Sequence, residues 1–141
     1  MSPEAKRVRR LLRLEKVRAM AKQAAALEAA QAESALTQLE GLALRTQAMA
    51  DDYRGRTAIH DGLELRQLAQ FVAGLSGITA ATQSDAGQAR IIADRKHQDL
   101  ALAERRRAAA EGRAKAGLQA LASRGGDQPS GSRRAVGTGL E

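Results

Sequence analysis

The feature that most constrains this chain is a repeat of apolar residues at alternating steps of three and four, sustained twice and interrupted once. The first run passes through Leu11, Leu14, Arg18, Ala21, Ala25, Glu28, Ala32, Ala35, Leu39, Leu42, Thr46, Met49 and Tyr53, with ten of the thirteen positions apolar. The second passes through Leu65, Leu68, Val72, Leu75, Thr79, Thr82, Ala86, Ala89, Ala93, Lys96, Leu100, Ala103, Arg107, Ala110, Ala114, Gly117 and Leu121, with twelve of seventeen apolar. A mean step of about 3.5 residues keeps one stripe facing a partner only if the helices wind around each other with a left-handed supercoil. Between the runs, Arg54 to Gly62 breaks the pattern with two glycines. A connection that short forces the second helix to return antiparallel. The reading is an all-α chain, a long antiparallel two-helix coiled coil, with Leu42 beside Thr79, Met49 beside Val72 and Tyr53 beside Leu68. The expected hairpin covers residues 1–124, with helix 1 over about 3–55, a turn over about 56–61 and helix 2 over about 62–123. Residues 125–141 are rich in Gly and Ser and lack periodicity, and are expected to be a disordered tail.

Local signals agree with these boundaries. Ser2-Pro3-Glu4 offers an N-cap, a proline at the first helical position and an acid at the positive helix end. Asp61 followed by Glu64 resembles a capping box that opens the second helix. Composition excludes a bulky globular core. Only Tyr53 and Phe71 are aromatic, whereas thirty-one residues are alanine, the best helix former and the smallest apolar side chain with a Cβ. The glycines at 74, 77, 87, 112 and 117 each cost about 1 kcal/mol relative to alanine, so helix 2 is weak alone.

The net charge of +7 is uneven. Residues 1–22 hold eight basic and two acidic side chains, residues 104–124 hold six and two, and residues 23–103 hold seven and ten. An antiparallel hairpin lays the two basic segments side by side, which concentrates a positive field able to attract acidic proteins, anionic membranes or nucleic acid. The candidate residues of this basic site are Lys6, Arg9, Arg10, Arg13, Arg105, Arg106 and Arg113. Nucleic acid is the weaker candidate, because no aromatic platform, zinc-finger spacing or basic-zipper arrangement accompanies the charge. Near the turn, Phe71 lies one position off the seam and is expected to be at least partly exposed, with Ile78 extending an apolar strip. Met49, Tyr53, Phe71, Leu75 and Ile78 are the candidate residues of this second, apolar site.

Chemistry is not encoded in any recognisable way. Cysteine is absent, and the only histidines, His60 and His97, fall in the turn and well along helix 2. No serine or threonine sits in a nucleophile elbow, and Gly74-Leu75-Ser76-Gly77 lacks the Lys-Ser/Thr of a phosphate loop. The expectation is therefore no catalytic residue, no cofactor and no metal. The longest uncharged run, Gln67 to Ser84, is too polar to span a bilayer, and no apolar core follows the basic start, so a cytoplasmic location is expected.

Several residues together resemble the FliJ family. They are the basic, leucine-punctuated opening Arg7-Val8-Arg9-Arg10-Leu11-Leu12-Arg13-Leu14-Glu15, an alanine-rich first helix, and Tyr53 before the turn. Leu65, Leu68, Phe71, Leu75 and Ile78 at the start of helix 2, and the basic end of that helix, complete the pattern. The resemblance covers about Lys6 to Arg124, and the scarcity of aromatics departs from the family. It implies a non-enzymatic stalk of the flagellar or injectisome type III export apparatus. The basic end would enter the export ATPase hexamer, the turn-proximal part would meet the cytoplasmic domain of the export-gate membrane protein, and export chaperones would also be engaged. It further implies a monomer that is peripheral at the cytoplasmic face of the inner membrane when bound. Two other readings fit the same pattern: a basic nucleic-acid-associated hairpin, and a structural coiled coil that self-associates.

Overall fold

The computed structural model describes residues 2–56 and 58–126. Two helices account for nearly all of them, α1 over Pro3–Arg54 and α2 over Gly62–Gly126, paired antiparallel as a coiled-coil hairpin. The Ser2 hydroxyl caps α1 by accepting the Ala5 amide proton at 3.1 Å. At α2, the Glu64 amide donates to Asp61 Oδ1 at 2.8 Å, and Glu64 Oε2 accepts from the His60 amide at 2.9 Å. That is the expected capping box, with the back-bond reaching one residue further upstream. α2 also continues beyond its expected end: Gly125 and Gly126 are helical. The rest of the expected tail lies outside the described residues. The described residues divide into two compact units, one from 2–23 and 102–126 and one from Ala24–Ala101.

In α2 the buried stripe follows the sequence pattern. Leu75, Thr79, Thr82, Ala86, Ala93, Ala110 and Ala114 are buried, and the intervening members of the series are partly covered. Leu65 is the exception and is exposed. In α1 only one of the two strings is correct. Leu11, Arg18, Ala25, Ala32, Leu39, Thr46 and Tyr53 are buried or half-buried, as expected. The alternate string is not Leu14, Ala21, Glu28, Ala35, Leu42 and Met49; it lies one residue later and includes Ala29, Leu36, Ala43 and Ala50, all buried, while Leu42 and Met49 are exposed. The two strings share a seven-residue period, so periodicity cannot choose between them. Packing does, because alanine at 29, 43 and 50 lets the backbones approach more closely than leucine or methionine would. Leu36 packs with Ala86 and Ala93, and Ala32, Leu39 and Ala89 close around them. Among the described residues no large side chain is fully buried, so this seam is thin.

The pairing register is also shifted from expectation. Thr79 meets Thr46, not Leu42, one helical turn away. Tyr53 accordingly stacks edge-on against Phe71, with ring centroids 4.7 Å apart and planes at 73°, and Arg54 donates to Ser76 Oγ at 2.8 Å. α2 thus has more than two turns before it meets the end of α1. The connecting segment covers part of that overhang: Arg56, Ala58 and Ile59 line one groove with Glu64, Gln67, Leu68 and Phe71. Arg56 also places its guanidinium 4.0 Å from the Tyr53 ring centroid. The overhang explains why Leu65 remains exposed despite fitting the apolar repeat.

Candidate functional site

In the unit formed by the start of α1 and the end of α2, helix pairing is close. A Cβ on Gly117 would sit 3.3 Å from Val8 Cγ2 and 3.4 Å from Leu11 Cδ1, so a glycine here lets the helices approach. Among the described residues, this unit holds fourteen basic and four acidic side chains. Three of the acids are consumed internally. Glu4 pairs with Arg124. Glu104 binds Lys22 at 2.8 Å and Arg107 at 2.8 Å, and Glu111 binds Arg107 at 2.8 Å and Lys115 at 3.0 Å. The Arg107 hydrogen bond, reinforced by Lys22, lowers the Glu104 carboxyl from 4.5 to about 2. Hydrogen bonds from Lys115 and then Arg107 lower Glu111 as well. Arg107 itself is held protonated by both carboxylates.

Ten basic side chains of this unit form no salt bridge among the described residues: Lys6, Arg7, Arg9, Arg10, Arg13, Lys16, Arg18, Arg105, Arg106 and Arg113. All seven predicted basic-site residues are among them, and all seven are exposed. They do not all line one depression. Lys6, Arg9, Arg10 and Arg13, at steps of three, one and three, share one face of α1 and alone line an open depression. Arg113 lines a different groove, between the helices, with Arg7, which sequence reasoning omitted. Arg105 and Arg106 line neither. The separation arises because each helix has an outward face, and a charge count along the sequence does not record which face a residue occupies.

In the unit spanning Ala24–Ala101, the two flanks of the seam differ. One flank carries cross-helix polar contacts: Arg90 with Glu40, His97 Nε2 with Glu33 at 3.1 Å, and Arg54 with Ser76. These residues come one position after a seam residue. Lys96, in the seam itself, reaches Glu28 at 3.1 Å. His97 is exposed, and its polar partner lies across the hairpin, since helix pairing presents Glu33 to it. The other flank, one position before a seam residue, holds Leu42, Met49, Phe71, Ile78 and Ile92, all exposed. Of the predicted apolar-site residues, Met49, Phe71 and Ile78 lie here and Tyr53 adjoins them, half-buried against Phe71. Leu75 does not belong: it is 7% exposed, because it is a seam residue facing α1. Leu42 and Ile92 were missed, Leu42 because it had been assigned to the seam. Among the described residues no helix is long and apolar enough to cross a membrane.

These features define a class: an antiparallel helical hairpin with an alanine-rich seam, a basic face that forms no ion pair among the described residues in one unit, and an apolar flank in the other. No protein-family model matches the chain, and no match is found among curated proteins or among solved structures.

Proposed function

We propose that this chain is a non-enzymatic coupling protein of the FliJ kind, acting in a flagellar or related type III export apparatus by binding other proteins. The observation that carries the reading is the set of ten basic side chains in one unit that form no salt bridge among the described residues, four of them on one face of α1. Internal pairing leaves such charges free for an acidic partner, which in this reading is the export ATPase ring. The apolar flank near the turn supplies a second surface of different chemistry, suited to the cytoplasmic domain of an export-gate protein or to an export chaperone. Two surfaces of different chemistry on one hairpin suit a protein that links partners and contributes no reaction of its own.

The test is binding to, and stimulation of, the export ATPase encoded in the same genome. The wild-type chain should bind and raise ATP turnover. The variant with Lys6, Arg9, Arg10 and Arg13 all changed to Glu should do neither, while keeping its helicity. Equal stimulation by both proteins would refute the assignment. Retention of duplex DNA or RNA at physiological salt, lost in the same variant, would instead favour a nucleic-acid-associated hairpin.

A further inference from the structure

The asymmetry between the two flanks of the seam carries a further inference. In a solvated two-helix coiled coil, both flanking strings are normally charged and pair across the interface. Here the Glu40–Arg90 and Glu33–His97 side obeys that rule. The opposite side does not: Leu42, Met49, Phe71, Ile78 and Ile92 are between 39% and 52% exposed and make no ion pair. Their numbers differ by seven, or by fourteen across Asp85, so the stripe keeps its position along a left-handed supercoil just as the buried seam does. A surface with that period matches another helix and does not match an extended strand or a loop. Gly74 lies on the same face, three residues after Phe71 and four before Ile78, and a Cβ there would touch nothing within 4 Å. Alanine would favour the helix by about 1 kcal/mol, so the hairpin itself gains nothing from glycine at this site.

We propose that this flank is the docking groove for a single amphipathic helix of another protein, about three heptads long, bound by aliphatic side chains at 3.5-residue spacing. The inference deepens the reading of this unit as a partner surface by naming the form of the partner. Size argues against a second copy of the chain. From Phe71 to Ile92 the stripe is roughly 32 Å long and one helix diameter, ~10 Å, wide, so covering it removes about 300 Å² from each side. The total of roughly 600 Å² is half or less of the ~1,200–2,000 Å² buried in stable interfaces and suits a transient complex. The stripe itself carries one charge, Asp85, so the contact is mainly apolar and little affected by salt.

The probe is a dye-labelled 21-residue peptide with leucine at heptad-spaced positions and alanine, glutamine and balanced Glu–Lys pairs elsewhere. A scrambled peptide of the same composition serves as control. Anisotropy should show the full-length chain binding the patterned peptide, with affinity unchanged between low and high salt, and not the scramble. Met49→Glu and Ile78→Glu should each weaken binding at least tenfold, and Gln83→Glu on the charged flank should leave it unchanged. Both test sites are exposed, and Ile92→Glu replaces either variant if it loses helicity. Equal loss with Gln83→Glu, equal binding of the scramble, or no binding overturns the proposal. So does a wild-type dimer in sedimentation that Ile78→Glu dissociates, since a second copy would then be the occupant. Failure of the ATPase experiment above would remove the export reading and leave this result standing.

Discussion

Thr79 donates its hydroxyl proton to Thr46 Oγ1 at 2.8 Å, in a part of the seam flanked by buried alanine and leucine. Thr46 in turn donates to the carbonyl of Leu42 at 3.0 Å. Each hydroxyl thus has a partner, and the bond between helices can form only when these two positions are level. An alanine-rich seam slides easily, because successive small side chains offer nearly equivalent packings. A buried polar pair penalises such slips, as a polar seam residue does in other coiled coils.

The threonine pair should therefore couple energetically. We expect Thr46→Val and Thr79→Val each to lower stability by about 0.5–1.5 kcal/mol, the usual net worth of a hydrogen bond. The double variant should cost less than the sum. A denaturant-based double-mutant cycle measures this, and strict additivity would show that the bond contributes nothing.

Glycines in α2 should separate into two groups. Gly87 has nothing within 4 Å of an added Cβ, so Gly87→Ala should gain up to about 1 kcal/mol from helix propensity. At Gly117 the added methyl meets Val8 at 3.3 Å, and Val8 is buried and branched at Cβ, so it cannot turn aside. Gly117→Ala should lower the melting temperature while Gly87→Ala raises it.

Acid should loosen the basic unit through Glu104. Its carboxyl titrates near 4.5 when unpaired and near 2 beside Arg107 and Lys22. A depressed carboxylate stabilises the fold above the unfolded value and loses that contribution as pH falls from 4.5 towards 2. Melting curves across this window should decline more steeply for the wild type than for Glu104→Gln. Parallel declines would show that the ion pairs are worth nothing in solution.

The edge-on contact of Phe71 with Tyr53 gives Phe71 a share in holding the turn, although it flanks the seam. Phe71→Ala should cost about 1 kcal/mol, within the ~0.5–1.5 kcal/mol of such aromatic pairs and below the ~3–5 kcal/mol of a buried phenylalanine. Thermal melts read the difference directly. A loss in the larger range would mean that the ring is core.

Much of the fold is legible in the residues. The 3.5-residue period, the break after Arg54, the caps at Ser2 and Asp61, and the whole buried stripe of α2 after Leu65 follow from spacing and local hydrogen-bonding chemistry. These depend on neighbours within a turn or two, which sequence records directly. The exposed basic residues were legible for the same reason, since unpaired charge avoids burial. Three things were settled only when the helices met. One string of α1 moved from Leu42 and Met49 to Ala43 and Ala50, because two strings of equal period differ only in how closely they let a partner approach. The register moved one turn, to the level where Thr46 and Thr79 satisfy each other. The basic residues divided between the outer face of α1 and the groove between the helices, and the apolar residues displaced from the seam became a surface. Period is a property of one helix, whereas phase, register and which flank stays apolar are properties of the pair.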